Sequence, residues 1–176
     1  PVFTGKLDDA AWEEVSWTDE FVDIRGAGWP LPRFTTRAKI RWDNEFLYVG
    51  AYLQEPNVWA TLTQHGTARW LIVGKDSIIF YDNDFEVFVD ADGANAYYKE
   101  YEMNALNTTW CLCINVPYLN GGYENSSRVF GPHGWDMPTV NAVYIDGESV
   151  GTTSAGILND PAVRDRYWSV EIALSL

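Results

Sequence analysis

The stretch Thr36–Leu53, TRAKIRWDNEFLYVGAYL, decides the fold class. Thr36–Trp42 and Phe46–Leu53 read as two strands, and Asp43-Asn44-Glu45 between them as the turn of a hairpin. In the first strand Ala38, Ile40 and Trp42 share one face, the alternation of a strand with unlike sides, while the second strand is nearly all apolar. The same period continues outward. Phe85, Val87 and Val89 alternate with Glu86, Phe88 and Asp90, and across Tyr97–Leu106 the residues Glu100, Glu102 and Asn104 face away from Tyr101, Met103 and Ala105. Thr109–Val116, Val140–Asp146 and Tyr167–Leu174 bring the expectation to about eight or nine strands. Turns fall at Ala91-Asp92-Gly93, Asn120-Gly121-Gly122 and Asp146-Gly147. A short helix is expected around Asp8–Val15, capped by Asp8 or Asp9. The pattern predicts an all-β fold, a two-layer antiparallel β-sandwich with one short N-terminal helix. Asp23–Arg33 and Gly121–Pro138 lack strand character, and long loops of this kind tend to carry function.

A length of 176 residues fits one domain. Twelve Lys and Arg against 25 Asp and Glu give a formal charge of −13, which excludes nucleic acid or an anionic membrane surface as the main partner. No apolar run approaches the roughly 20 residues of a membrane-spanning helix, so membrane insertion of that kind is not expected. The 9 Trp, 10 Tyr and 8 Phe are more large rings than such a domain can bury completely. Exposed rings beside carboxylates and amides suit sugars, which have flat apolar faces and hydroxyl edges. The alternative is an aromatic-rich core with a few rims showing.

Glu86, Glu102 and Glu171 each stand among apolar residues on separate strands. Aligned on neighbouring strands they would form an acidic patch with Asn104, a polar face for sugar hydroxyls. Carboxylates about 5–9 Å apart also hydrolyse glycosides, but alternation alone sets no separation. The run Asp90-Ala91-Asp92-Gly93-Ala94-Asn95 reads two ways. Asp90, Asp92 and Asn95 are hard oxygen ligands for calcium around a turning glycine, although the twelfth position is Tyr101 and not the Glu of an EF-hand. As a plain turn the same run needs no metal. Cys111 and Cys113 fall on one side of a strand without CxxC spacing and read as buried thiols. Asn107 and Asn125 open glycosylation sequons, usable if the chain is secreted. His65 and His133 lack zinc-ligand spacing, and neither a nucleophile elbow nor a phosphate loop is present.

Six segments in order carry a family resemblance: GKLDDAAW from Gly5, AKIRWDNEFLYVGAYL from Ala38, DNDFEVFVDADG from Asp82, YYKEYEMNALNTTW from Tyr97, LNDP from Leu158 and RYWSVEIAL from Arg166. Together they resemble carbohydrate-binding module family 9 and its family 9-like relatives. The resemblance covers nearly the whole chain. It implies a β-sandwich with structural calcium, often appended to xylanases and other glycoside hydrolases, which grips the reducing end of a glycan between two Trp rings. Carried over, Glu86 matches the family's hydrogen-bonding Glu and Asn104 its Asn. The Arg two positions earlier is Glu102, an acceptor in place of a donor. The first Trp falls near Phe80 or Tyr81, and the second in strands beyond Leu176. Relatives reading TVWDL meet Thr109-Trp110-Cys111-Leu112 here.

The expected protein is therefore a single non-catalytic family 9-like domain over residues 1–176, apparently lacking the last C-terminal strands. It would be secreted or extracytoplasmic and bind a plant- or algal-type polysaccharide or its chain ends, as an aid to a glycoside hydrolase. Tyr81, Trp110 and Trp135, with Phe80, would stack on sugar rings while Glu86, Asn104 and Glu102 read hydroxyls. Calcium is the expected cofactor. The alternative is an interaction subunit that keeps the sandwich without the sugar site, its open sheet edge covered by a partner chain or further domain. A weaker idea borrows the His–Met haem pair of related sandwiches, here His65 and Met103.

Overall fold

The structure is a computed structural model that describes residues 1–63, 66–67, 78–121, 140–147 and 156–176. Its elements are α1 (Ala10–Glu13), β1 (Thr36–Trp42), β2 (Phe46–Gln54), β3 (Gly66–Thr67), β4 (Asp84–Val89), β5 (Tyr98–Asn104), β6 (Thr109–Ile114), β7 (Val140–Gly147) and β8 (Asp165–Ser175). Short 3-10 helices cover Ile79–Tyr81 and Tyr118–Asn120. Eight strands among the described residues and one four-residue helix meet the all-β expectation. The chain divides into two compact units, Pro1–Trp59 with Pro138–Leu176, and Ala60–Met137.

The first unit holds an antiparallel sheet in the order β1-β2-β8-β7. Its hairpin turn is built by Asp43, whose Oδ1 accepts from the backbone N–H of Glu45 and Phe46, both at 2.8 Å, while Tyr48 donates to Oδ2 at 2.7 Å. In β8 the residues Trp168, Val170, Ile172 and Leu174 share one buried face, and Ser169 and Glu171 fall on the other. The N-terminal segment lies across that second face. Gly50, in register with Glu171, leaves the space: a Cβ there would come within 2.4 Å of the Leu7 side chain and 3.3 Å of the Trp12 ring. Asp9 caps α1 by accepting from the N–H of Ala11 at 2.8 Å. Only Trp12 of this helix is buried, and anchoring one ring needs a single turn.

The second unit holds a sheet in the order β3-β6-β5-β4. It is antiparallel apart from the two-residue β3, which runs parallel to β6. β5 is an inner strand and is buried on both faces, so Glu100, Glu102 and Asn104 are as enclosed as Tyr101 and Met103. The expected polar outer face is therefore a buried polar one. Beside it on β6, Trp110, Leu112 and Ile114 join Ile79 in an apolar cluster, with Leu62, Ile78 and Tyr98 packed against it. Cys111 is half-buried and Cys113 buried, and the two form no disulfide. Met103 is fully buried, and its suggested haem partner His65 lies outside the described residues.

Candidate functional site

The antiparallel register of β4 and β5 sets Asp84 opposite Asn104 and Glu86 opposite Glu102. Strand periodicity then puts Asp84, Glu86, Glu102 and Glu100 on one face. One carboxylate oxygen from each of Asp84, Glu86 and Glu102 lies within 4.8 Å of the others. Glu86 is exposed, Asp84 half-buried and Glu102 only 3% exposed. Among the described residues, Oδ2 of Asp84 and Oε2 of Glu102 are buried without a hydrogen-bond partner. The indole N–H of Trp110, opposite Glu102 on β6, is in the same position.

The electrostatics follow from that burial. Desolvation, then the neighbouring carboxylates of Glu100, Glu86 and Asp84, push Glu102 up to about 9. Burial raises Asp84 and Glu86 as well, with Glu86 adding to the shift of Asp84. Glu100 is pushed up to about 7, mainly by burial, although the Tyr118 hydroxyl donates to it at 2.6 Å. At neutral pH Glu102 is thus a neutral acid with an O–H to donate. The sequence reading assigns Glu102 to sugar hydroxyls as an acceptor; in the fold it is almost wholly enclosed.

Three sequence-expected sugar contacts change their reading. Asn104 is fully buried and its amide is completely engaged. Its Nδ2 donates to the Leu62 carbonyl at 2.8 Å and to Asp82 at 2.9 Å, and its Oδ1 accepts from the N–H groups of Leu106 and Thr108. With two donors and two acceptor lone pairs in use, nothing is left for a ligand. Trp110 is 3% exposed inside the apolar cluster, so it offers no face for stacking. Glu171 does not join the acidic patch. It belongs to the other unit's sheet, fully buried, where it accepts from Trp12 Nε1 at 2.6 Å and from the N–H groups of Thr4 and Gly5 at 2.8 and 2.5 Å.

Phe80 and Tyr81 stand differently. They sit on the 3-10 helix packed against β4 and β5, 52% and 73% exposed, edge to face with centroids 5.0 Å apart. Asp82, the next residue, ties that helix to the start of the unit by accepting from the N–H groups of Thr61 and Leu62. Trp135, the remaining expected stacking ring, and the Asn125 sequon lie outside the described residues, as does His133. Asn107 is half-buried in the β5–β6 turn at a left-handed φ of 63°.

In the loop expected to hold calcium, the two oxygens of Asp90 accept from the N–H groups of Gly93 and Asn95 at 3.1 and 2.8 Å, and Asp92 accepts from Ala94 at 3.0 Å. Gly93 and Asn95 take left-handed φ of 70° and 56°. These contacts are those of a self-closed turn, and Asp90 and Asp92 face their own backbone.

Sequence reasoning passed over Asp84, although its place two residues before Glu86 on a strand puts the two on one face. It also passed over a cleft of about 410 Å³ in the first unit, lined by Trp17, Glu20, Thr35, Arg37, Tyr52 and Gln54. Tyr52 there meets Tyr167 ring to ring at 4.7 Å. No local motif marks this cleft, because its residues come from separate segments.

Residues 3–115 match the family model described as carbohydrate family 9 binding domain-like. The chain belongs to that family. Two solved structures share the fold. One is a carbohydrate binding module family 9 from Caldicellulosiruptor kristjanssonii in complex with cellotriose, 15% identical, with a TM-score of 0.50 over 100% of this chain and 63% of that one. The other, from Bacteroides uniformis and provisionally described as a carbohydrate-binding protein, is 11% identical with a TM-score of 0.59 over 94% and 62%. The chain thus spans under two thirds of the length of either. No curated protein matches it. Family 9 domains are β-sandwiches and non-catalytic binding modules, so the fold class stands as expected and the carboxylates on β4 and β5 belong to a binding domain.

Proposed function

We propose that this family 9 domain binds a plant- or algal-type polysaccharide or its chain ends, and serves as the secreted targeting module of a glycoside hydrolase. The carrying observation is the exposed ring pair Phe80–Tyr81 on a helix packed against the strands that bear Glu86. Rings supply an apolar platform for a pyranose face, worth about 0.5–1.5 kcal/mol per ring, and Glu86 accepts from its hydroxyls. An acceptor beside exposed rings suits a neutral, hydroxyl-rich ligand.

A second reading has its own support. Asn104 and Trp110 are fully committed to the fold, which favours an interaction subunit whose exposed rings anchor another protein. Calorimetric titration with xylo- and cello-oligosaccharides separates the two. Saturable binding that weakens on Tyr81→Ala supports the module. Absence of heat with every soluble glycan favours the interaction subunit.

A further inference from the structure

The geometry points to a divalent-cation site on the β4–β5 face, formed by Asp84, Glu86 and Glu102 and suited to a hard, oxygen-preferring ion of the calcium class. Two ligand oxygens on opposite sides of one calcium ion, each at about 2.3–2.6 Å, are separated by up to about 5 Å. The three carboxylate oxygens here lie within 4.8 Å of one another, so a single ion can meet all of them. The set is all oxygen, which selects against the softer metals that favour sulfur and imidazole.

A second observation points inward to the same place. Glu102 is almost wholly buried, and its Oε2 has no hydrogen-bond partner among the described residues, nor has the buried Oδ2 of Asp84. None of the ion pairs among the described residues reaches any of the three. Buried carboxyl oxygens normally have a partner, and groups left without one need an ion or a water to satisfy them. A cation answers the missing contacts of both oxygens and takes the place of the proton that Glu102 otherwise holds, with Glu86 closing the site from the solvent side and water completing the coordination. The site is distinct from the Asp90–Asn95 turn; it shares Glu86 with the proposed sugar face, but ion binding needs no sugar.

The experiment uses the whole protein, stripped with EDTA and titrated with Ca2+ by calorimetry and with Tb3+ by luminescence excited through tryptophan. Trp110, opposite Glu102, is the antenna. Saturable binding of one ion, sensitised emission and its displacement by Ca2+ are expected. Asp84→Asn and Glu102→Gln should each weaken the ion at least about tenfold, the loss that removing even an outer-shell partner of a metal brings. If either fails to fold, exposed Glu86→Gln carries the decision with the same expected loss. Absence of Ca2+ heat and of Tb3+ emission in the unmodified protein overturns the site. So does a signal that survives all the substitutions that fold, or one lost with Asp90→Asn and kept with the others. Neither readout involves a glycan, so failure of the ion site and failure of the sugar reading are seen separately.

Discussion

Trp12 donates its indole N–H to Glu171 Oε1 at 2.6 Å, with both side chains fully buried. Oε2 of the same carboxylate takes the N–H groups of Thr4 and Gly5, so one residue of β8 holds the N-terminal segment against its sheet at three donors. Glu171→Ala should leave three donors without their acceptor, those of Trp12 and Gly5 buried, and cost on the order of 3–5 kcal/mol in urea unfolding. Glu171→Gln, which keeps one oxygen, should cost less. Equal losses from the two would show that side-chain volume, and not hydrogen bonding, holds the segment.

Asn104 closes four hydrogen bonds between the β5–β6 turn, Leu62 and Asp82. Asn104→Ala should therefore act on stability, by roughly 2–4 kcal/mol, since buried groups at both ends of each bond lose their partners. A thermal melt reads this directly. A melt unchanged from the parent would return Asn104 to the list of free ligand contacts.

The buried acids make stability depend on pH in a set direction. Glu102 has an ordinary value of 4.5 in the unfolded chain and about 9 in the fold. Between those values the native state holds the extra proton, so its contribution is fully present below the lower value and is lost as pH rises through the upper. The slope is up to about 1.4 kcal/mol per pH unit for one group. Glu100 adds a share between 4.5 and about 7. Urea midpoints measured in EDTA should fall from pH 5 to pH 9. Glu102→Gln should flatten the fall most between pH 7 and 9, and a parent midpoint that rises with pH would contradict the burial of these acids.

Phe80 and Tyr81 are exposed enough that alanine at either position should leave the fold intact. Each substitution should lower oligosaccharide affinity by about 0.5–1.5 kcal/mol, roughly two- to twelvefold. Trp110→Phe should not do so by loss of stacking, because that ring faces the apolar cluster. Parallel titrations of the three variants, with circular dichroism to confirm folding, test the assignment.

The alternation in Thr36–Leu53 and in Asp84–Asn104 already determines the strands, because facing and burial repeat with the backbone's own period of two. It also determines that Glu100, Glu102 and Asn104 share a side of β5, and six ordered segments suffice for the family. What the alternation cannot say is which side is covered. The two faces of β5 read as one polar and one apolar, yet both are buried: on the polar one Leu112 and Trp110 of β6 stand beside Glu100 and Glu102, and the 3-10 helix at Ile79 packs against the strand. That burial turned Asn104 from a ligand contact into a structural tie, hid the indole of Trp110 and made Glu102 a neutral acid. Glu171 shows the same division: the sequence marks a Glu among apolar residues, but only the chain's return of Trp12, more than 150 positions away, determines that its partners are the N-terminal segment. Local periodicity is a property of neighbouring residues, whereas burial and hydrogen-bond partnership depend on long-range contacts that tertiary packing alone creates.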